Sequence, residues 1–257
     1  MTEKGTIQSL VKGLQIMEIV SQTKKIGIRE ISKILDMPPS TVSRIAHTLV
    51  KCGYLVQEPD TRDFKLSFRM FQVGKGAVKN FNVREQAICV MSDIAKQTGE
   101  TVNLSILQED NILVVEKIDS NQVIAINSRV GDLMPAYSCA SGKVLLAWLP
   151  EDERKEILNK TELKAITAKT ICNLPDLEKD LALVKERGYA IHDEEYNHGV
   201  LAIAAPIFGA KEKVIAAISI AAPADRGFRT GINYLSNIVK KGTMQVSLAC
   251  GYPHKEY

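Results

Sequence analysis

Two adjacent prolines, Pro38 and Pro39, constrain the fold of the N-terminal region more than any other feature of the chain. A proline ring lacks an N–H and clashes with the preceding helical turn, so it belongs at a helix start and not in an interior. One helix must therefore end before Asp36-Met37-Pro38, and another must begin at about Pro39. The flanking residues are patterned to match. Ile28, Ile31 and Leu35 fall on one side of a short helix, with Arg29, Glu30 and Lys33 away from it. Over residues 39–52, Val42, Ile45, Ala46, Leu49 and Val50 form a buried stripe. An earlier helix over residues 7–20 carries Leu10, Leu14 and Met17, and Gly27 breaks the chain after it. Gly53 ends the third helix, and two short extended runs, 54–57 and 64–67, then flank a turn whose tip presents Arg62. Three helices and a hairpin make a winged helix-turn-helix, expected over residues 1–68.

The outer face of the third helix carries Ser40, Thr41, Ser43, Arg44, His47 and Lys51. Short hydroxyls near the N-terminal end can approach phosphates and base edges, and an arginine can read guanine bidentately. The charge distribution agrees. Residues 1–70 hold eleven Lys or Arg against seven Asp or Glu, an excess of 4, while the remainder holds 22 against 23. From Met37 to Gln57 there is no acidic residue at all. An acid-free helix face suits phosphate contact. Arg29 on the short helix, Lys51 and the wing residue Arg62 complete the expected set of contacts to double-stranded DNA.

After a linker helix expected over residues 69–82, weakened by Gly74 and Gly76, a second domain is expected over 83–257. It begins with a helix carrying Ala87, Val90, Met91 and Ile94. Strand patterns follow over 101–108, 111–118, 123–128, 199–208 and 214–221, with helices over 140–148, 151–159, 176–187 and 233–249. Strands covered by helices on one side give an α+β domain. Tyr137-Ser-Cys-Ala-Ser-Gly142 sets small residues ahead of an apolar helix. Small side chains let a ligand reach the free N–H groups of a first helical turn, where the dipole favours an anion; helix capping accounts for the same residues equally simply.

Several separated motifs, in order, resemble one family. They are Leu10-x-x-x-Leu14, Ile31-Ser-Lys-Ile-Leu-Asp-Met-Pro-Pro-Ser-Thr-Val-Ser-Arg44, Leu49-Val-Lys-Cys-Gly-Tyr-Leu55, Thr98-Gly-Glu-Thr-Val-Asn-Leu104, Ser128-Arg-Val-Gly131, Ser141-Gly-Lys-Val-Leu-Leu-Ala147, Gly188-Tyr-Ala-Ile-His-Asp-Glu-Glu195, Ala204-Ala-Pro-Ile and Ala217-Ile-Ser-Ile. Together they resemble the IclR family of bacterial regulators, from about residue 6 to 250. The resemblance implies a GAF-like sheet enclosing an effector pocket, and a repressor with a small organic acid as effector; a homodimer or a dimer of dimers is expected because a single winged helix buries too little to be specific. It implies that Ala140, Ser141, His192, Ala202, Ser219 and Ala221 contact that effector. Against the family's small-acid sensors, His192 stands for an acid, Ala202 for a cysteine and Ala221 for a serine. The expectation is a pocket less polar on its strand side, with a protonated His192 able to pair with an anion.

Other chemistries find little support. Cys139 with His192 or His198 offers a nucleophile and a base, but no third orienting group or oxyanion site is specified. The same three residues lack the close spacing of metal ligands. Ala140-Ser-Gly-Lys-Val144 is not a phosphate loop, because Tyr137 stands where its first glycine belongs and Val144 where Ser or Thr is needed. No catalysis, metal or cofactor is expected. Five cysteines without a C-x-x-C pair argue against a disulfide framework, and no apolar run approaches the roughly 20 residues of a membrane helix. With no leader-like run in the first 30 residues, a cytoplasmic, non-membrane protein is expected.

Overall fold

The computed structural model describes residues 7–78 and 82–253. The chain divides into two compact units, Met1–Phe81 and Asn82–Tyr257. In the first, α1 (Gln8–Ser21), α2 (Ile28–Leu35) and α3 (Pro39–Lys51) precede a two-stranded hairpin of β1 (Leu55–Gln57) and β2 (Phe64–Leu66), then α4 (Phe68–Val78). The tight turn between α2 and α3 works because Asp36 takes a left-handed conformation, φ 48° and ψ 47°, and drops Met37 into the core. Ile16, Val20, Ile31, Val42, Ala46, Leu55 and Phe64 pack there. An isolated bridge from Ile26 to Phe64 ties the hairpin to the segment before α2. The winged helix-turn-helix is as expected. Residues 79–81 of the anticipated linker lie outside the described residues.

The second unit contains α5 (Asn82–Thr98), β3 (Thr101–Gln108), β4 (Asn111–Ile118), β5 (Leu133–Pro135), a 3-10 turn (Ala136–Ser138) and α6 (Ala140–Ala147). It continues with α7 (Glu151–Lys160), α8 (Leu174–Arg187), β6 (Ala190–Asp193), β7 (Val200–Phe208), β8 (Val214–Pro223), α9 (Ala224–Thr230) and α10 (Ile232–Ala249). The six strands form one antiparallel sheet in the order β5-β4-β3-β8-β7-β6.

Two expectations need correction. Helices cover both faces, α5 and α10 on one and α6 backed by α8 on the other. Residues 123–128 form no strand, and β5 takes its place as the partner of the first residues of β4, Asn111 to Leu113. That segment is instead an extended loop held by side chains of β3. Thr101 Oγ1 donates to the Ile126 carbonyl at 3.1 Å, and Ser128 Oγ donates to Asn103 Oδ1 at 2.7 Å.

Strand alternation gives the two sheet faces different chemistry. Val102, Leu104, Ile218, Ile220, Leu201 and Ile203 pack on the α5 and α10 side. The opposite face carries small or polar residues. One cross-strand row reads Thr101, Ala221, Ala202, His192, and the next reads Asn103, Ser219, Ala204, Ala190. Small side chains there leave room beneath α6, and that room is the site.

Candidate functional site

In the first unit, Ser40, Ser43, Arg44, His47 and Lys51 line one shallow depression along α3, together with Thr48. Arg44, His47 and Lys51 are exposed. Arg29 is exposed on α2, and Arg62 is exposed at the wing tip, where its φ of 63° lets the turn close. Thr41 is half-buried, as is Ser43, and with Arg44 it borders a groove shared with Leu10, Gly13 and Leu14 of α1. Among the described residues, Arg29, Arg44, Lys51 and Arg62 have no ion-pair partner, whereas Lys25 and Lys65 are paired with Asp63 and Glu58. Uncompensated cations suit a polyanion, and two of these, Arg44 and Lys51, share one depression.

In the second unit, a cavity of about 330 Å³ lies between α6 and the sheet. All six residues anticipated there, Ala140, Ser141, His192, Ala202, Ser219 and Ala221, line it. The first-turn N–H groups of Ala140 and Ser141 have no carbonyl partner within α6, and both residues are buried. Further lining comes from Asn103 and Ser105 of β3, Asn127, Ser128 and Asp132 of the covering loop, and Tyr196 and Asn197 after β6. On the strand side, Asn103, Ser105 and Ser219 set polar groups beside Ala202 and Ala221. No lysine or arginine is among the described lining residues.

His192 is buried, and its Nδ1 lies 2.9 Å from the Ser138 carbonyl. Burial pushes the ring pKa down to about 4, helped by the nearby Lys143 charge, although the Ser138 bond pulls the other way. A carbonyl can only accept, so Nδ1 carries the proton and Nε2 is left as an acceptor. In the neutral form Nε2 can take a hydrogen from a hydroxyl; pairing with a carboxylate requires that the ring be protonated. A histidine held neutral in the fold adds stability that is complete above about 6.5 and is lost as pH falls towards its native pKa. His192→Gln is expected to flatten the pH dependence of stability between pH 6.5 and 4. Urea titrations across that range check it, and an unchanged slope would contradict it.

Cys139 lines the same cavity, but burial raises its thiol to about 12. Its Sγ donates to the Pro135 carbonyl at 3.4 Å, so it is a thiol and not a nucleophile. His198 is exposed and does not line the cavity, and the described residues contain no cluster of three metal-ligating groups.

Behind the cavity, the first turn of α6 is anchored by Lys143, which is 2% exposed. Its Nζ lies 2.6 Å from Glu195 Oε1 and 2.9 Å from Asp180 Oδ2. The latter contact is an ion pair without hydrogen-bond geometry, and Glu195 Oε2 is also left without a hydrogen bond. Thr170 and Thr167 hydroxyls donate to the Glu195 and Glu194 carbonyls at 2.6 and 2.7 Å, pinning the chain just before Tyr196.

Comparison with known proteins places this geometry. The family model for the IclR helix-turn-helix domain matches residues 9–59, and that for the bacterial transcriptional regulator IclR C-terminal matches residues 75–248. The chain belongs to the IclR family. Among curated IclR-family relatives, the HTH-type transcriptional regulator KdgR of Escherichia coli is 34% identical over 250 residues, covering 97% of this chain and 95% of the relative. The transcriptional repressor IclR of the same organism is 26% identical over 250 residues, covering 96% and 91%. The crystal structure of Thermotoga maritima IclR superposes with a TM-score of 0.81 at 29% identity, covering 96% of this chain and all of that one, 100%. This IclR-family protein is a DNA-binding transcriptional regulator, not an enzyme.

Asn103, Ser105, Tyr196 and Asn197 were not anticipated as lining residues of this IclR-family cavity. The signal for the first two lay in β3, where Asn103 and Ser105 alternate with Val102 and Leu104. Only the register of β3 with β8, Asn103 opposite Ser219, decides which face they share.

Proposed function

We propose that this regulator represses transcription as a homodimer or dimer of dimers and that a hydroxyl-bearing organic acid bound in the second unit changes its hold on operator DNA. Ser40, Ser43, Arg44, His47 and Lys51 meet the major groove, with Arg29 and Arg62 on flanking phosphates. The observation that carries the effector half is the cavity's chemistry. Free N–H groups at the α6 N-terminus suit one carboxylate, while neutral His192, Ser219, Ser105 and Asn103 suit hydroxyls. Self-association is supported by apolar side chains left bare on α1 and α4: Phe68 is 90% exposed and Phe71 71%, with Leu10 and Leu14 also exposed. Two half-sites give the specificity that one small domain cannot.

Thermal shift of the full chain against hydroxylated monocarboxylates, their methyl esters and their deoxy analogues tests the reading. The best acid should raise the melting temperature. Its ester, which lacks the charge, should bind at least about tenfold more weakly. No shift with any acid, or an ester as potent as its acid, would contradict the proposal.

A further inference from the structure

His47 sits on the exposed face of α3, yet its ring is held at two points. Nδ1 lies 2.8 Å from the Ser43 carbonyl oxygen, one turn back, and 3.4 Å from Ser43 Oγ. The imidazole also stands edge-on against Phe64 of β2, with centroids 5.8 Å apart and planes at 85°. Phe64 itself is fully buried, so the wing's core residue supports the ring from beneath. A carbonyl oxygen cannot donate, and it is much the closer of the two Ser43 atoms. Nδ1 therefore carries the hydrogen, and in the neutral ring Nε2 is left as an acceptor. Its neighbours in the depression differ: Arg44 and Lys51 offer donors only.

That polarity selects a partner. In the major groove, guanine offers N7 and O6 acceptors and thymine an O4 acceptor, while hydrogens are offered by adenine N6 and cytosine N4 alone. We propose that His47 is a specificity-determining residue, whose Nε2 accepts from the exocyclic amine of an adenine or cytosine at one position of each operator half-site. The ring is already fixed by Ser43 and Phe64, so little side-chain freedom is lost on binding. The inference rests on α3 being the helix that enters the groove.

Selection from a randomised duplex library with the full chain, without added effector, tests it. The proteins compared are wild type, His47→Ala and His47→Phe, which keeps a ring against Phe64 but has no acceptor. Wild type should enrich A or C about fivefold at one position per half-site. Both variants should lose that preference and keep the rest of the consensus. The proposal is overturned if the consensus is unchanged in both variants, if His47→Phe retains the preference, or if affinity falls equally on all sequences, which marks a phosphate contact. A wild type that enriches no sequence would overturn the placement of α3 in the groove as well.

Discussion

Gly142→Ala should destabilise the second unit by about 3 kcal/mol or more, at the top of the range for overpacking a core. A β-carbon at Gly142 would lie 2.1 Å from the Ala136 carbonyl oxygen, 2.4 Å from its Cα and 2.6 Å from its carbonyl carbon. These are backbone atoms of the 3-10 turn, so no rotamer change relieves the clash. The turn itself would have to move. Ser138 lies in that turn and holds His192, so displacement would reach the cavity wall as well as the core. The chain's single tryptophan, Trp148, follows α6 directly and reports on this unit. Urea unfolding followed by its fluorescence should show the loss, together with loss of any acid-induced thermal shift. A change below about 1 kcal/mol would mean that α6 and the turn are not packed as described.

Lys143→Met should cost a similar amount, about 3–5 kcal/mol, because it strands Glu195 and leaves Asp180 only the Arg187 guanidinium, 3.9 Å away. Burial already raises the Glu195 carboxyl above its ordinary 4.5, with Lys143 the main influence pulling it back. An acid whose pKa is raised by folding favours the native state below its unfolded pKa and loses that contribution as pH rises through the native value. Without Lys143 the native pKa rises further. The variant should therefore recover stability as pH is lowered from about 8 to 5, more steeply than wild type. Combining Lys143→Met with Asp180→Leu and Glu195→Leu should restore most of the loss, since apolar groups of similar volume replace buried ion pairs at little cost. Denaturation curves at several pH values distinguish these outcomes, and a single variant as stable as wild type at pH 8 would refute the buried-pair account.

The sequence disclosed the two units unevenly. Pro38 and Pro39 allow few arrangements, and the helix-turn-helix follows from them and the apolar stripes around them. Thr41 and Arg44 both border the groove against α1, because a helix face is a broad arc and its edge residues touch two surfaces. In the second unit, the residues anticipated from family resemblance share one cavity. Ser219 is legible in its strand; that Asn103 lies opposite it depends on long-range register. The depressed pKa of His192 is not legible either, since burial sets it and local sequence does not report burial. Residues 123–128 carry strand-like residues, but side-chain bonds to Thr101 and Asn103 hold them instead of a backbone ladder.

The most direct test of the account is the affinity of the full chain for duplex from its own promoter region, measured by fluorescence anisotropy with and without the acid that gives the largest thermal shift. The predicted result is a change in operator Kd of about 5–150-fold at saturating acid, the usual range of allosteric coupling, and no change in a variant whose cavity is filled by Ala202→Leu. An operator Kd that is the same with and without the bound acid would contradict it.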